Sequence, residues 1–294
     1  MAISQLTIRS FKSIKELNIP CRRVNLFIGP PNTGKSNLLE ALGVFSLPYT
    51  YDLKTIIRCE TLSNLFWGPQ MDFSYYASFD GASEFRIEHS EFLSPFRFYR
   101  FRLLNKFPQR ESDFLRPVAG ENLMQLLLTH KSLRQLVADL LQEYDLRVVL
   151  KPQESRIEIQ KEENAVIIAY PYIVLSDTLQ RLIFHLIAIE SNKNAILILE
   201  EPEAHAFPYH TKYLAERIAR DSSNQYFIST HNPYFLLSIL EKAPQQDVNV
   251  FLTYWKDKQT RVRMLKETEL EELMDLGAGL FFDLERFLEE GQSG

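Results

Sequence analysis

Apolar and polar residues alternate at the start of the chain, and this pattern predicts strands before any helix. Alternation runs over residues 3–8 and, after a turn, over 14–19, as expected of strands with one buried face. Residues 24–28 are almost wholly apolar, which favours a strand covered on both faces. We therefore expect two half-buried strands followed by a central one.

Beyond this opening, helical spacing alternates with short apolar runs. Apolar residues recur three and four positions apart after residue 36, which predicts a helix directly behind the central strand. Alternating strands and helices indicate an α/β fold, in which a mixed sheet carries flanking helices. The later predicted helices span 176–190, 209–219, 267–276 and 280–290, and the later predicted strands span 195–199, 226–229, 248–255 and 260–264, the last two as an edge hairpin.

Residues 48–165 interrupt this order. The segment is rich in aromatic residues and prolines, with strand-like alternation over 96–102 and helical spacing over 123–141. We interpret it as an inserted α+β lobe. The main domain then consists of residues 1–47 and 166–294.

A glycine-containing stretch between the central strand and the first helix carries the clearest chemical signal. Residues 29–36 read GPPNTGKS and match the P-loop pattern GxxxxGK[ST], in the strand-loop-helix context that the pattern requires. Backbone N–H groups of such a loop wrap phosphates at a helix N-terminus, whose partial positive charge favours anions. Lys35 is expected to reach the β- and γ-phosphates, and Ser36 to offer its hydroxyl to Mg²⁺. The predicted nucleotide ligands are Gly29, Pro30, Asn32, Thr33, Gly34, Lys35, Ser36 and Asn37.

Three polar residues follow the two later buried strands. Glu200 and Glu201 come after the run 195–199, and His231 comes after 226–229. We expect Glu200 to hold Mg²⁺ through water, because magnesium prefers oxygen ligands and keeps several waters. Glu201 would polarise the attacking water, and His231 would reach the γ-phosphate from the far side. The alternative is that two solvated acids and a structural histidine simply end these strands.

The order of the motifs resembles that of the ABC-type ATPases. The P-loop, the inserted lobe, a serine-led helix, EEPEAH at 200–205 and STHNP at 229–233 are arranged as in RecF, SMC proteins and the ATPase domain of OLD-family nucleases. The resemblance implies a P-loop NTPase fold of ABC type that takes ATP and Mg²⁺. It also implies ATP hydrolysis, with Lys35, Glu201 and His231 as catalytic residues.

In these families two subunits sandwich ATP, and a signature loop of one subunit caps the γ-phosphate bound to the other. The matching position here is LSDTL at 175–179, which makes Ser176 a candidate ligand in trans. The family's glycine is missing from it, and Asp177 puts an anion where phosphate oxygens are expected. Ser176 therefore has two interpretations, as a signature residue and as the N-cap of a core helix.

Composition and charge narrow the class of protein. The net charge of −5 argues against a globally basic nucleic-acid binder. The two cysteines, Cys21 and Cys59, form no CxxC pair, so they suggest no disulfide framework and fit a reducing cytoplasm. The sequence contains no run of about 18 apolar residues, which a membrane-spanning helix would need. We therefore expect a cytoplasmic protein without a membrane partner.

One segment departs from the acidic average. Residues 94–134 carry eight basic and three acidic side chains among many aromatics, which is typical of a nucleic-acid surface. The alternative is a strand hairpin with aromatics in the core and arginines in solvent. We favour the hairpin and keep nucleic acid as a possible partner.

The leading functional hypothesis is an ATPase subunit that uses MgATP to switch a complex, acting on nucleic acid in repair or anti-phage defence by family analogy. A homodimer or higher homo-oligomer through the ATP sandwich is expected. A separate effector protein is expected too, since the chain has no room for a Toprim domain and no coiled-coil heptads. The alternatives are an ATP-locked scaffold with negligible turnover and, less favoured, a transporter subunit.

Overall fold

A computed structural model describes residues 2–50, 52–61, 74–79, 83–85, 94–282, 284 and 286–289. The chain opens with the two predicted strands, β1 (Gln5–Phe11) and β2 (Ile14–Pro20), which form an antiparallel hairpin. The buried strand β3 (Val24–Ile28) follows and leads through the glycine loop into helix α1 (Lys35–Gly43). The predicted strand-loop-helix order is therefore confirmed.

The remaining elements alternate much as the sequence predicts. Helices α2 to α10 are Leu47–Thr50, Leu53–Ile56, Leu123–Thr129, Lys131–Gln142, Asp177–Ser191, Pro208–Arg220, Pro233–Lys242, Glu267–Leu276 and Arg286–Glu289. Strands β4 to β13 are Ser74–Phe79, Ser83–Phe85, Phe96–Tyr99, Leu146–Lys151, Arg156–Glu163, Val166–Pro171, Ile196–Glu200, Gln225–Ser229, Val248–Lys256 and Gln259–Met264.

A six-stranded sheet forms the centre of the fold, in the order β13-β12-β3-β11-β10-β6. Strands β12, β3, β11, β10 and β6 run parallel, and β13 pairs antiparallel with β12 at the edge. The fold is thus mixed α/β, as predicted, and the terminal hairpin lies at the edge as expected. Because the parallel strands share one direction, the loops after β3, β11 and β10 leave the sheet at the same edge.

Two antiparallel sheets flank this centre. One has the order β2-β1-β4-β5 and brings the opening hairpin beside the P-loop helix. The other contains β7, β8 and β9, and its inner residues pack into the same hydrophobic core as α4, α5 and α6.

Two strands cross the predicted limits of the inserted lobe. Strand β6 (Phe96–Tyr99) lies within 48–165, yet it pairs with β10 as the outer strand of the main sheet. Strand β9 (Val166–Pro171) was placed in the ATPase domain, yet it pairs with β8. The division into a main domain and a lobe stays a prediction, with these strands shared across its limits.

Most aromatic residues of segment 94–134 lie inside the protein. Phe96, Phe98, Tyr99 and Phe107 are buried, so they are not available to stack on bases. These four rings lie in the core, as the alternative that we favoured expects. The strand is not half of a hairpin, however, because its partner is the parallel β10.

The end of the chain differs from the prediction in one element. Helix α9 (Glu267–Leu276) is present as predicted, whereas the helix expected over 280–290 is a 3₁₀ turn, Gly277–Phe282, followed by the short α10. Leu273 and Phe287 belong to the main core, so the apolar stripe of this region packs on the protein itself. None of the described helices is both long and apolar enough to cross a membrane.

Candidate nucleotide-binding site

The loop between β3 and α1 has the conformation that only its glycines permit. Gly29 and Gly34 have φ angles of 143° and 98°. A Cβ on Gly29 would lie 2.2 Å from the carbonyl oxygen of Thr253, and a Cβ on Gly34 would lie 2.0 Å from the Thr260 hydroxyl. These positions therefore exclude side chains both by backbone conformation and by space.

Lys35 begins α1 and is turned into the loop. Its side chain is almost fully buried, and Nζ donates to the carbonyl oxygens of Gly29 at 2.7 Å and Pro30 at 2.8 Å. Burial lowers the pKa of Lys35, and the charge of Glu201 opposes that effect. The ammonium thus sits where the pattern predicts, inside the loop and within electrostatic range of a carboxylate.

The edge of the parallel sheet brings the later candidates to this loop. Strand β11 lies between β3 and β10, so the residues after these strands are neighbours in space. Thr230 donates its N–H to Phe27 at the end of β3, and Glu201 donates its N–H to Ser229 at the end of β11. The distant segments 29–36, 200–201 and 231 therefore meet as the parallel arrangement requires.

Glu201 and His231 form a direct pair at this edge. His231 Nε2 lies 2.7 Å from Glu201 Oε1, and both side chains are partly exposed. The hydrogen bond to Glu201 raises the pKa of His231 against the effect of burial. A half-solvated carboxylate beside an imidazole is able to take a proton from water, which the predicted role of Glu201 requires.

Ser36 and Glu200 supply oxygen ligands of the kind that Mg²⁺ prefers. Burial disfavours the charged form of Glu200, but the hydrogen bond from Ser36 and the charges of Arg100 and Arg58 outweigh it, so the pKa of Glu200 is lowered. A hydroxyl and an ionised carboxylate within hydrogen-bond distance can face one small cation. In the described residues no cluster of three or more His, Cys, Asp or Glu could hold a metal ion.

A protein-family comparison covers the first part of this site. The model described as the AAA ATPase domain matches residues 1–177, which hold the P-loop and the candidate signature position. The chain belongs to the AAA ATPase domain family. No curated protein sequence matches it significantly.

Solved structures extend the likeness of this ATPase domain over nearly its whole length. An SMC head bound to the C-winged helix domain of ScpA has a TM-score of 0.60 and 14% identity, covering 92% of this chain and all of that one. An SMC head with an extended coiled coil from Pyrococcus furiosus has a TM-score of 0.51 and 12% identity, covering 93% and 98%. The recombination mediator RecF-ATPrS has a TM-score of 0.50 and 14% identity, covering 90% and 98%. At these identities the likeness establishes the P-loop ABC-type fold, and the OLD-like placement stays a prediction.

Sequence reasoning missed a charged cluster beside the candidate magnesium ligands Ser36 and Glu200. Glu40 on α1 is 1% exposed and accepts from Lys12 Nζ at 2.5 Å, Arg58 Nε at 2.8 Å and Arg100 Nη2 at 3.2 Å. Arg58 and Arg100 also bind Glu200. Both guanidinium groups therefore bridge the P-loop helix to the carboxylate at the end of β10. No spacing along the chain signals this cluster, since its members come from four separate segments.

A second group that sequence reasoning missed is the buried pair of Glu203 and Thr230. Glu203 is 3% exposed, its Oε1 accepts from the Thr230 hydroxyl at 2.5 Å, and its Oε2 has no partner. Burial raises the pKa of Glu203 to about 7, although the Thr230 hydrogen bond acts in the opposite direction. Thr230 directly precedes His231, so Glu203 fixes the segment that carries the imidazole.

Replacing Glu203 with glutamine should change how stability depends on pH. The pKa of this carboxyl is raised from 4.5 to about 7 on folding, so the unfolded chain releases the proton first. Below about pH 4.5 the Glu203 carboxyl is neutral in the folded and the unfolded state. Above that pH the unfolded state is stabilised by ionisation of this carboxyl, so the free energy of unfolding falls until the pH passes 7. Relative to Glu203→Gln, the wild type should lose about 3 kcal/mol of unfolding free energy between pH 4.5 and 8, measured by urea denaturation.

The matched control is Glu241→Gln, which changes an exposed carboxylate and should keep the wild-type pH dependence. Parallel curves for the wild type and Glu203→Gln would show that the carboxyl ionises in the folded protein as easily as in water.

Ser176 lies at the start of α6. It N-caps α6, where its side chain accepts from the Leu179 N–H at 3.4 Å, so the capping interpretation is confirmed. The helix start is tied to the loop after Glu203, since Thr178 donates to the carbonyl of His205 at 2.7 Å and Asp177 lies 3.2 Å from His205 Nδ1.

Proposed function

We propose that this ATPase domain binds MgATP and hydrolyses it to ADP and phosphate. The observation that carries the proposal is the Glu201–His231 pair at the sheet edge that also holds Lys35 and the hydrogen-bonded Ser36 and Glu200. A general base, a buried cation and two magnesium ligands are the components that phosphoryl transfer to water needs.

Each side chain has a separate task in this scheme. The P-loop N–H groups and Lys35 hold the β- and γ-phosphates and offset the negative charge that develops between them. Glu201 accepts a proton from the attacking water as its oxygen bonds to the γ-phosphorus and the bond to ADP breaks. Bound Mg²⁺, held by Ser36 and Glu200, would neutralise phosphate charge.

The Nε2–H group of His231 would exchange Glu201 for a phosphate oxygen when ATP binds. In the structure His231 Nε2 lies 2.7 Å from Glu201 Oε1. When the γ-phosphate is present, the same N–H can donate to a phosphate oxygen and leave Glu201 free to accept from water. This exchange would keep the base occupied until ATP is bound.

The arginine cluster gives the site a way to report ATP to the rest of the domain. Arg58 and Arg100 share Glu200 with the proposed magnesium ion, so MgATP binding weakens their hold on that carboxylate. Both arginines also bind Glu40 on α1, so they stay attached to the P-loop helix and can follow its movement when Glu200 is taken. We expect the segments that carry them to shift when ATP binds, as a switching subunit requires.

Subunit contact around Ser176 is the second part of the proposal. A groove of about 560 Å³ opens beside Ser176 and Thr178 and is lined by the exposed apolar residues Val174 and Phe207. Apolar side chains exposed next to a polar helix start suit a surface that another copy covers in its ATP-bound state. The signature function of Ser176 in trans fits this position.

Replacing Ser176 with arginine should prevent ATP-dependent dimers. In a Glu201→Gln background MgATP should convert the protein from monomer to dimer in light scattering, because ATP is held without turnover. Arginine at position 176 would put a long side chain into the interface while the ATP affinity of each monomer stays within about twofold, because the Ser176 side chain bonds to its own helix.

Ser222→Arg is the matched control, because Ser222 is exposed in the turn before β11 at the opposite edge of the sheet. A dimer that persists with Ser176→Arg would remove Ser176 from the interface, and a dimer lost with both variants would point to a general effect of charge.

A nucleic-acid-related role in repair or anti-phage defence, with a separate effector protein, completes the proposal and rests on family analogy alone. The ATP-locked scaffold is the alternative. Phosphate release from MgATP by the purified chain separates the two, with Glu201→Gln as the slow reference. Bound ATP without any release of phosphate would favour the scaffold.

A further inference from the structure

The hairpin of β12 and β13 extends beyond the end of β3, next to the P-loop. Strand β12 pairs with β3 as far as Leu252 opposite Ile28, and residues 253–256 continue beyond that last pair. Thr253 and Thr260 then brace the loop, with Thr253 bonded to the Thr33 hydroxyl at 2.9 Å. This part of the hairpin therefore stands at the height of bound phosphates.

Trp255 lies on the face of the hairpin that touches the P-loop. Side chains alternate along a strand, so Trp255 shares a face with Thr253, and in the antiparallel register it stands directly opposite Thr260. Directly opposite Cβ atoms are about 5 Å apart. The Cβ position of Gly34 lies 2.9 Å from the Thr260 Cβ, which puts Trp255 at the rim of the loop.

The nucleoside end of a bound nucleotide would point toward this hairpin. Glu201 and His231 mark the γ-phosphate side, which follows β11 and β10, whereas β12 and β13 lie on the other side of β3. A polar bridge already connects the two regions, since Asn37 donates to Ser13 at 2.6 Å and the Ser13 hydroxyl lies 2.7 Å from that of Thr260.

An aromatic ring on this rim is exposed without a packing reason. Trp255 is 53% exposed, although a tryptophan gains most from burial. The adjoining turn of the β1–β2 hairpin offers no alternative ring, because Phe11 is buried and Lys12 is bonded to Glu40. An exposed indole beside a phosphate loop suits a flat heteroaromatic ligand.

We propose that Trp255 is the platform on which the purine base of the bound nucleotide stacks. The proposal rests on the nucleotide site proposed above and adds the part that recognises the base. Stacking on an indole tolerates any purine, so this contact does not select adenine over guanine. It makes a nucleoside triphosphate bind more tightly than inorganic tripolyphosphate.

Calorimetry with two probes tests the stacking. With Mg²⁺ present, Trp255→Ala should weaken ATP binding about tenfold, which corresponds to about 1.4 kcal/mol, and leave inorganic tripolyphosphate binding within about twofold. Trp255→Phe should restore most of the ATP affinity, because phenylalanine keeps a stacking face.

Met264→Ala removes another exposed apolar side chain from the same hairpin, one that lines a groove with Arg22 and Val248, and should leave both affinities unchanged. Equal losses for ATP and tripolyphosphate would mean that Trp255 supports the loop, and unchanged ATP binding would mean that the base lies elsewhere; either result overturns the proposal.

If the wild type bound tripolyphosphate but not ATP, base recognition would fail while the phosphate site stood. If it bound neither, the nucleotide site itself would fail.

Discussion

Replacing Glu201 with glutamine should slow phosphate release by about a hundredfold or more while MgATP still binds. The amide keeps the shape of the carboxylate and can accept the His231 hydrogen bond, which joins Nε2 to Oε1 at 2.7 Å in the wild type. It cannot take the proton of the attacking water, and loss of a general base costs on the order of 10²–10⁴ in rate. Steady-state phosphate release and equilibrium binding of MgATP measure the two effects separately.

Glu200→Gln is the informative comparison, because Glu200 holds Ser36, Arg58 and Arg100 rather than His231. We expect that variant to lose the Mg²⁺ dependence of ATP binding. If Glu200→Gln bound MgATP normally and turned over slowly while Glu201→Gln stayed active, the tasks of the two carboxylates would be the reverse of those proposed.

Replacing Lys35 with alanine should abolish hydrolysis and weaken ATP binding by about a hundredfold. Lys35 is the one basic residue of the loop sequence GPPNTGKS, and its buried Nζ bonds to the carbonyls of Gly29 and Pro30. Removing one partner of a desolvated charge pair costs about 2–5 kcal/mol. Titration calorimetry with MgATP gives the affinity directly.

Lys193→Ala is the control, since Lys193 is exposed in the turn after α6 at the opposite edge of the sheet. Thermal unfolding of both variants shows whether the loop survives, because the Lys35 hydrogen bonds also hold its backbone. Wild-type ATP affinity in a folded Lys35→Ala protein would exclude the P-loop as the phosphate site.

The sequence predicted the parts of the site that depend on local constraints or on the direction of strands. Gly29 and Gly34 need φ angles of 143° and 98°, a requirement that a short motif carries wherever the fold places it. The meeting of Glu201 with His231 followed from two apolar runs, because parallel strands end at one edge. The cap at Ser176 was equally local, since its bond spans three residues.

The sequence misplaced segment 94–134 because periodicity gives no pairing partner. Alternating aromatics over 96–99 predict a strand, but a hairpin and a parallel strand at the edge of the main sheet have the same pattern. Its charge was equally uninformative, since Arg100 lies within the cluster of Glu40 and Glu200 rather than in solvent. Charge reversal at Arg100 would therefore damage the magnesium site and is not a clean test of nucleic-acid binding.

By itself, the sequence determined the phosphate loop, the α/β class and the catalytic candidates at the strand ends, because backbone sterics and strand direction act within a few residues. Only the tertiary structure decided that Glu203 is buried, that Arg58 and Arg100 share Glu200, and that Trp255 stands at the loop rim. Burial and charge pairing depend on which distant segments cover a side chain. Arg58 and Glu200 are 142 residues apart, and no local pattern along the chain encodes such a meeting.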